Sequence, residues 1–155
     1  MSNDEAFWNA ITDVDAAVSI YGGPAQFVQE FAAVPSKAGH LFASNWCQTE
    51  VCNGGFRQFY ANSTGVLAPE AAEAFKQMGM PATAAVVIEA NTWFGYVYPR
   101  HRQARELALK TYETMHPESS GPFDKLDVAF FRLLSSENGG FDTAAKAYFA
   151  GHDGA

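Results

Sequence analysis

Positive charge is what this chain has least of, and what it has is placed unevenly. Ten Lys and Arg stand against 17 Asp and Glu, for a net charge of −7 over 155 residues. Residues 1–36 contain Asp4, Glu5, Asp13, Asp15 and Glu30 and no Lys or Arg at all. A surface built there repels nucleic acid and suits a basic partner. Long apolar runs are also missing; none approaches the roughly 20 residues a membrane helix needs. The start, Met-Ser-Asn-Asp-Glu, has neither the basic nor the apolar region of a signal peptide. The expectation is a soluble cytoplasmic protein that does not bind membrane.

Cysteine is nearly absent. Cys47 and Cys52 lie five apart in one expected helix, about 140° apart around its axis, so they should not bridge. Both read as buried small apolar groups. His40, His101, His116 and His152 are scattered, and no Cys or His cluster has metal-ligand spacing. There is no Gly-rich phosphate loop, no Gly-x-Ser-x-Gly elbow and no His-Glu metal pair. These absences predict no metal, no cofactor and no enzymatic activity. The best catalytic grouping the sequence offers is Glu50 with Arg57 and His40, and it reads as a structural cap plus surface charges.

Apolar side chains are plentiful. Hydrophobic residues make up 48% of the chain and charged residues 17%, with 13 Phe, 3 Trp and 6 Tyr. That excludes disorder and leaves enough for a core and an interface. The pattern predicts an all-α, single-domain bundle over 1–155 with about seven to nine helices. Asn3 or Ser2 can cap a first helix with the stripe Phe7, Ile11, Val14 and Val18, Glu5 completing a capping box from Ser2. Pro24, Pro69 and Pro81 each suit a first helical turn. Further helices are expected at about 100–115, 123–135 and 141–150. Arg100, Arg102, Arg105 and Lys110 alternate with Glu106 at i, i+4 spacing and read as a solvated helix face, not a nucleic-acid site. Residues 93–98 could be a short strand, but no partner strand is evident.

The most unusual stretch is Glu50-Val-Cys-Asn-Gly-Gly-Phe-Arg-Gln-Phe-Tyr-Ala-Asn-Ser-Thr-Gly65. Asn53-Gly54-Gly55 should end one helix with a left-handed C-cap. Phe56, Phe59 and Tyr60 then fall on one face of a second, short helix. Glu50 is placed to accept the free N–H groups at the start of that helix. The segment reads as a helix corner with an aromatic plug. Asn138-Gly139-Gly140-Phe141 echoes it and suggests the same corner chemistry used twice.

The motif Glu50, Asn53, Gly54, Gly55, Phe56, Gln58, Phe59, Tyr60 and Asn62 resembles the signature of the DMP-type DNA-mimic protein family, a bacterial DUF4375-type domain of unknown function. The likeness continues through Ala71, Ala74, Met78-Gly79 and Ala84 to Ala90, and it fades over residues 1–35 and 116–122. Cys52 departs from it, standing where a second polar residue is expected. The resemblance implies an all-helical fold, allows a homodimer, and implies a role in transcription regulation: an acidic surface that occupies a DNA-binding protein. The acidic surface in this chain would be Asp4, Glu5, Asp13, Asp15, Glu30, Glu70 and Glu73. On a helix wheel Asp4 and Asp15 share an edge, with Glu5 and Asp13 well away from them, so a row of charge must be assembled across helices. The alternative is an immunity- or antitoxin-like protein that masks its partner with an aromatic patch of Trp93, Phe94, Tyr96 and Tyr98.

Overall fold

Ser2 opens the first helix as its spacing predicts. In the computed structural model, which describes residues 1–151, Ser2 Oγ accepts the Glu5 N–H at 3.1 Å and Glu5 Oε2 accepts the Ser2 N–H at 2.8 Å. This reciprocal box starts α1, Asn3–Ala17, whose Phe7, Ile11 and Val14 are buried. Seven more helices follow: α2 Pro24–Ala33, α3 Ser36–Ala61, α4 Ala68–Gln77, α5 Pro81–Thr92, α6 Arg102–Met115, α7 Asp124–Ser136 and α8 Phe141–Phe149. Short 3₁₀ turns lie at Ser63–Leu67 and Glu137–Gly139. The described residues form an all-α bundle without a strand, and the segment 93–98 is a turn after α5.

α3 is the axis of the bundle. It packs against α1, α4, α6, α7 and α8. Leu41, Phe42, Cys47, Val51, Phe56, Phe59 and Tyr60 along it are all buried. Cys52 is exposed, contrary to the expectation of two buried thiols. The 140° between the two cysteines explains both outcomes. It separates them too far to bridge, and it also turns one to the core and the other to solvent.

α3 is broken in the middle. Gly54 has φ −153° and ψ 22°, whereas Gly55 has φ 73° and ψ 179°. The sequence suggested a left-handed cap closing the first half. Instead the positive φ belongs to the residue that launches the second half, in a region of backbone space open almost solely to glycine. Gly23 and Gly140 take nearly the same conformation, φ 94° and 93° with ψ 164°, directly before α2 and α8. The corner at Asn138 shares only this last step. There Asn138 and Gly139 are also left-handed, at φ 52° and 82°, so it is a different turn with the same exit.

α7 and the turn behind it supply carboxylates to other helices. Glu137 accepts the N–H groups of Ala82 and Thr83, each at 2.8 Å, and the Thr83 hydroxyl at 2.7 Å. It therefore serves as the missing N-cap of α5 from 54 residues away. Asn138 Nδ2 donates to the Met78 carbonyl at 2.9 Å and closes the turn between α4 and α5.

A side chain at Gly55 meets two obstacles: the positive φ, and the Asp127 carboxylate 2.7 Å from where a Cβ would sit. At Gly54 φ is negative, and the nearest obstacle is the Gln58 side chain, its flexible end together with its Cβ at 2.9 Å from where a new Cβ would sit. Gly55→Val is expected to lose at least about 2 kcal/mol in urea unfolding, and Gly54→Ala markedly less.

Candidate functional site

The second half of α3, Phe56–Ala61, is barely more than one turn long and cannot hold its shape alone. Its N-terminal end meets Asp127 of α7, whose Oδ1 accepts the Phe56 N–H at 2.8 Å. Its C-terminal end meets α6. Arg105 Nε donates to the Tyr60 carbonyl at 2.8 Å and Nη2 to the Asn62 carbonyl at 3.1 Å. Arg102 Nε donates to the Ala61 carbonyl at 2.7 Å. An anion at the start and two cations at the end match the helix dipole at both poles.

Arg105 is the fully buried member of this arrangement. Among the described residues it has no carboxylate partner. Its Nη1 donates to the carbonyls of Arg100 at 2.6 Å and Pro99 at 3.2 Å. Four backbone oxygens thus replace water around the guanidinium. Burial pulls its pKa down from the ordinary value, and the nearby Tyr98 pulls the other way; an arginine starts high enough to stay charged. Gly65 gives it room, since a Cβ there would lie 2.7 Å from Arg105 Nε. The sequence reading placed Arg105 on a solvated face. The signal against that was Leu109, four residues on and likewise buried.

Glu50 sits 8% exposed beside the same short helix. Its Oε2 accepts Gln58 Nε2 at 2.7 Å and Asn62 Nδ2 at 3.1 Å; its Oε1 accepts the Thr64 hydroxyl at 3.1 Å. The expected cap from Glu50 to the helix N–H groups is therefore wrong. The break turns the chain so that Glu50 lies level with residues 58–64, and Asp127, 71 residues beyond Phe56, caps instead. Asn53 is exposed and donates to Gln58 Oε1 at 3.1 Å. Phe56, Phe59 and Tyr60 are the core plug. Phe56 packs on Phe130 at 5.3 Å between centroids, and Tyr60 on Phe94 at 4.8 Å and Phe123 at 5.3 Å.

The grouping of Glu50, Arg57 and His40 does not assemble. Arg57 pairs with Glu113 on the surface. His40 Nδ1 lies 2.7 Å from the Tyr148 hydroxyl, between α3 and α8. Burial lowers the His40 pKa, with Glu73 acting against it. Among the described residues no group of three His, Cys, Asp or Glu could hold a metal. His101 and His116 are exposed, and His152 lies outside the described residues.

The seven carboxylates of the acidic surface are put to different uses. Asp4 pairs with Lys146 at 3.3 Å, and Glu5 completes the capping box. Glu30 accepts the Ser19 N–H at 2.8 Å. Glu70 is held by both terminal nitrogens of Arg100, each at 2.8 Å. Glu73 is exposed and accepts Gln77 Nε2 at 2.8 Å. Asp13 and Asp15 stand exposed on α1. The four aromatics of the other patch divide as well. Trp93 and Phe94 pack on Phe123 with centroids at 5.2 Å and 6.5 Å, and the Tyr98 hydroxyl donates to the Gly65 carbonyl at 2.6 Å. Burial raises the Tyr98 pKa, which keeps that donor protonated. Tyr96 alone of the four projects fully into solvent.

A broken central helix, clamped at its short end by groups from α6 and α7, defines an all-helical bundle whose recurring motif is a scaffold. The family model described as DMP19-like protein matches residues 32–152, and the chain belongs to that family. The match begins close to where the sequence likeness begins, so α1 and almost all of α2 precede it. No curated protein and no solved structure matches the chain.

Arg105→Met strips donors from four backbone carbonyls, and unfolding by urea is expected to show a loss of at least about 3 kcal/mol. Asp127 behaves differently. Burial raises its carboxyl pKa and the Phe56 N–H lowers it again, with a net rise. A raised folded-state pKa means the fold favours the protonated form. That contribution is complete below the unfolded value of about 3.9 and is lost as pH rises through the folded value. Asp127→Asn keeps an acceptor without the charge, so it should melt no lower than wild type at pH 7, any advantage vanishing below about pH 4. Asp127→Ala should melt lower across the range.

Proposed function

We propose that the protein acts by binding a basic protein partner, a DNA-binding protein in the decoy reading, through the acidic helix α1. Membership of the DMP19-like family supports this reading. The observation that carries it is the charge distribution: Asp13 and Asp15 project from a helix, about 160° apart around its axis, in a segment of 36 residues without one Lys or Arg. The arrangement differs from a continuous phosphate-like row. Glu30 and Glu70 are engaged by neighbours, and Asp4 and Asp15 are about 16 Å apart along α1. Contact with a partner would then be made at discrete points. α1 precedes the matched region, so family membership supports a protein-binding role and the charge of α1 supports its location.

The masking alternative draws less support, because Trp93, Phe94 and Tyr98 are committed to packing and hydrogen bonding and Tyr96 is left alone. No helix of the described residues is long and apolar enough to cross a membrane, which fits a partner met in solution. On this reading the protein has no catalytic role.

The test is a pull-down from host lysate with a salt gradient, repeated with Asp13→Lys/Asp15→Lys. A DNA-binding protein should elute steeply between low and high salt, be displaced by duplex DNA, and be weakened at least about tenfold by the double variant. A partner retained at high salt, and unaffected by the double variant but lost with Tyr96→Ala, would replace the decoy reading with the masking one.

A further inference from the structure

Glu50 is a buried carboxylate whose three hydrogen-bond partners, Gln58, Asn62 and Thr64, are all neutral. None of the described Lys, Arg or His residues pairs with it. A carboxylate offers about four lone-pair positions, and three are filled here. An ion kept from water with only neutral donors is an expensive arrangement unless a cation completes it.

The residue is not sealed in. It lines a cleft of about 240 Å³ together with Ile20, Tyr21, Trp46, Asn62 and Arg102. Trp46 is half-buried and, among the described residues, enters no ring pair, unlike Trp8 and Trp93. The turn over the cleft is held in place from behind. Ser19 Oγ accepts the N–H groups of Tyr21 and Gly22, each at 3.1 Å, and Glu30 holds the Ser19 N–H. The Tyr21 side chain itself is 80% exposed. An adjoining cleft shares Ile20, Tyr21 and Trp46 and adds Asp15 and Glu30. Arg102, which also lines the cleft, is engaged by Glu106 at 3.2 Å and by the Ala61 carbonyl.

We propose that this cleft takes a single guanidinium group, the arginine side chain of a peptide or protein, with Glu50 as its anion and Trp46 and Tyr21 as the aromatic surfaces it stacks on. Guanidinium is the cation that combines planar stacking with a directed hydrogen bond to a carboxylate. One free acceptor position on Glu50 suits one such group. The inference stands apart from the decoy reading, because it needs one arginine and not a row of phosphate-binding residues.

N-acetyl-L-argininamide is the probe, and its neutral isostere N-acetyl-L-citrullinamide the control, titrated into ¹⁵N-labelled protein. The arginine compound should shift the Trp46 indole and the Gln58 and Asn62 side-chain amide signals saturably, with Kd of about 1–10 mM as befits a single side chain. The citrulline compound should not. Glu50→Gln should weaken binding about tenfold or more, and Tyr21→Ser, at an exposed side chain, about threefold. No saturable shift, equal shifts from both compounds, or unchanged affinity in Glu50→Gln overturns the proposal. Should Glu50→Gln fail to fold, unchanged affinity in both Tyr21→Ser and Trp46→Leu overturns it equally. These outcomes do not depend on whether a DNA-binding partner is captured at α1.

Discussion

The fold depends on how one short helix is held. Phe56–Ala61 carries the rings that fill the centre of the bundle, yet a helix of that length is unstable in isolation. Asp127 from α7 takes its first N–H, and Arg105 and Arg102 from α6 take its last carbonyls. Each pole of the helix dipole faces charge of the opposite sign. The two clamping helices are thereby fixed relative to α3, and Phe123 and Phe130, from the start of α7 and within it, reach Tyr60 and Phe56. Gly55 and Gly65 make the arrangement possible, one by its backbone angle and the other by its missing Cβ.

This organisation explains what the sequence reveals and what it hides. Helix starts were legible because capping is local: Ser2 with Glu5, and Pro24, Pro69 and Pro81 in first turns, all signal within four residues. The break at Asn53-Gly54-Gly55 was legible too, since adjacent glycines before an aromatic run have few other uses. The partners of the break were not. Asp127 and Glu137 cap helices 71 and 54 residues away, and nothing local distinguishes them from surface carboxylates. Glu50 reads as the cap because it is near in sequence; the kink at Gly54-Gly55 instead sets it against Gln58, Asn62 and Thr64. Arg105 was read as solvated because its neighbours Arg102 and Glu106 do pair on the surface, while its own environment consists of backbone carbonyls that leave no mark in a residue pattern.

The candidate surfaces divide along the same line. An acidic segment is visible as composition, but which carboxylates remain exposed is decided by tertiary neighbours such as Arg100 on Glu70 and Lys146 on Asp4. Aromatic residues 93–98 looked like one patch because they are contiguous. The turn sends Trp93, Phe94 and Tyr98 inward and Tyr96 outward. The family match covers residues 32–152, and the helix that precedes it, α1, carries the densest acidic segment.

Native-state hydrogen exchange at Phe59 and Tyr60 tests the clamp most directly. If the short helix is locked at both ends by α6 and α7, these amides open only with the whole bundle, at the same free energy as core amides such as Cys47 in the first half of α3. Exchange through a local opening well below the global unfolding free energy would show that the helix frays on its own, and the clamp would not be what holds the fold together.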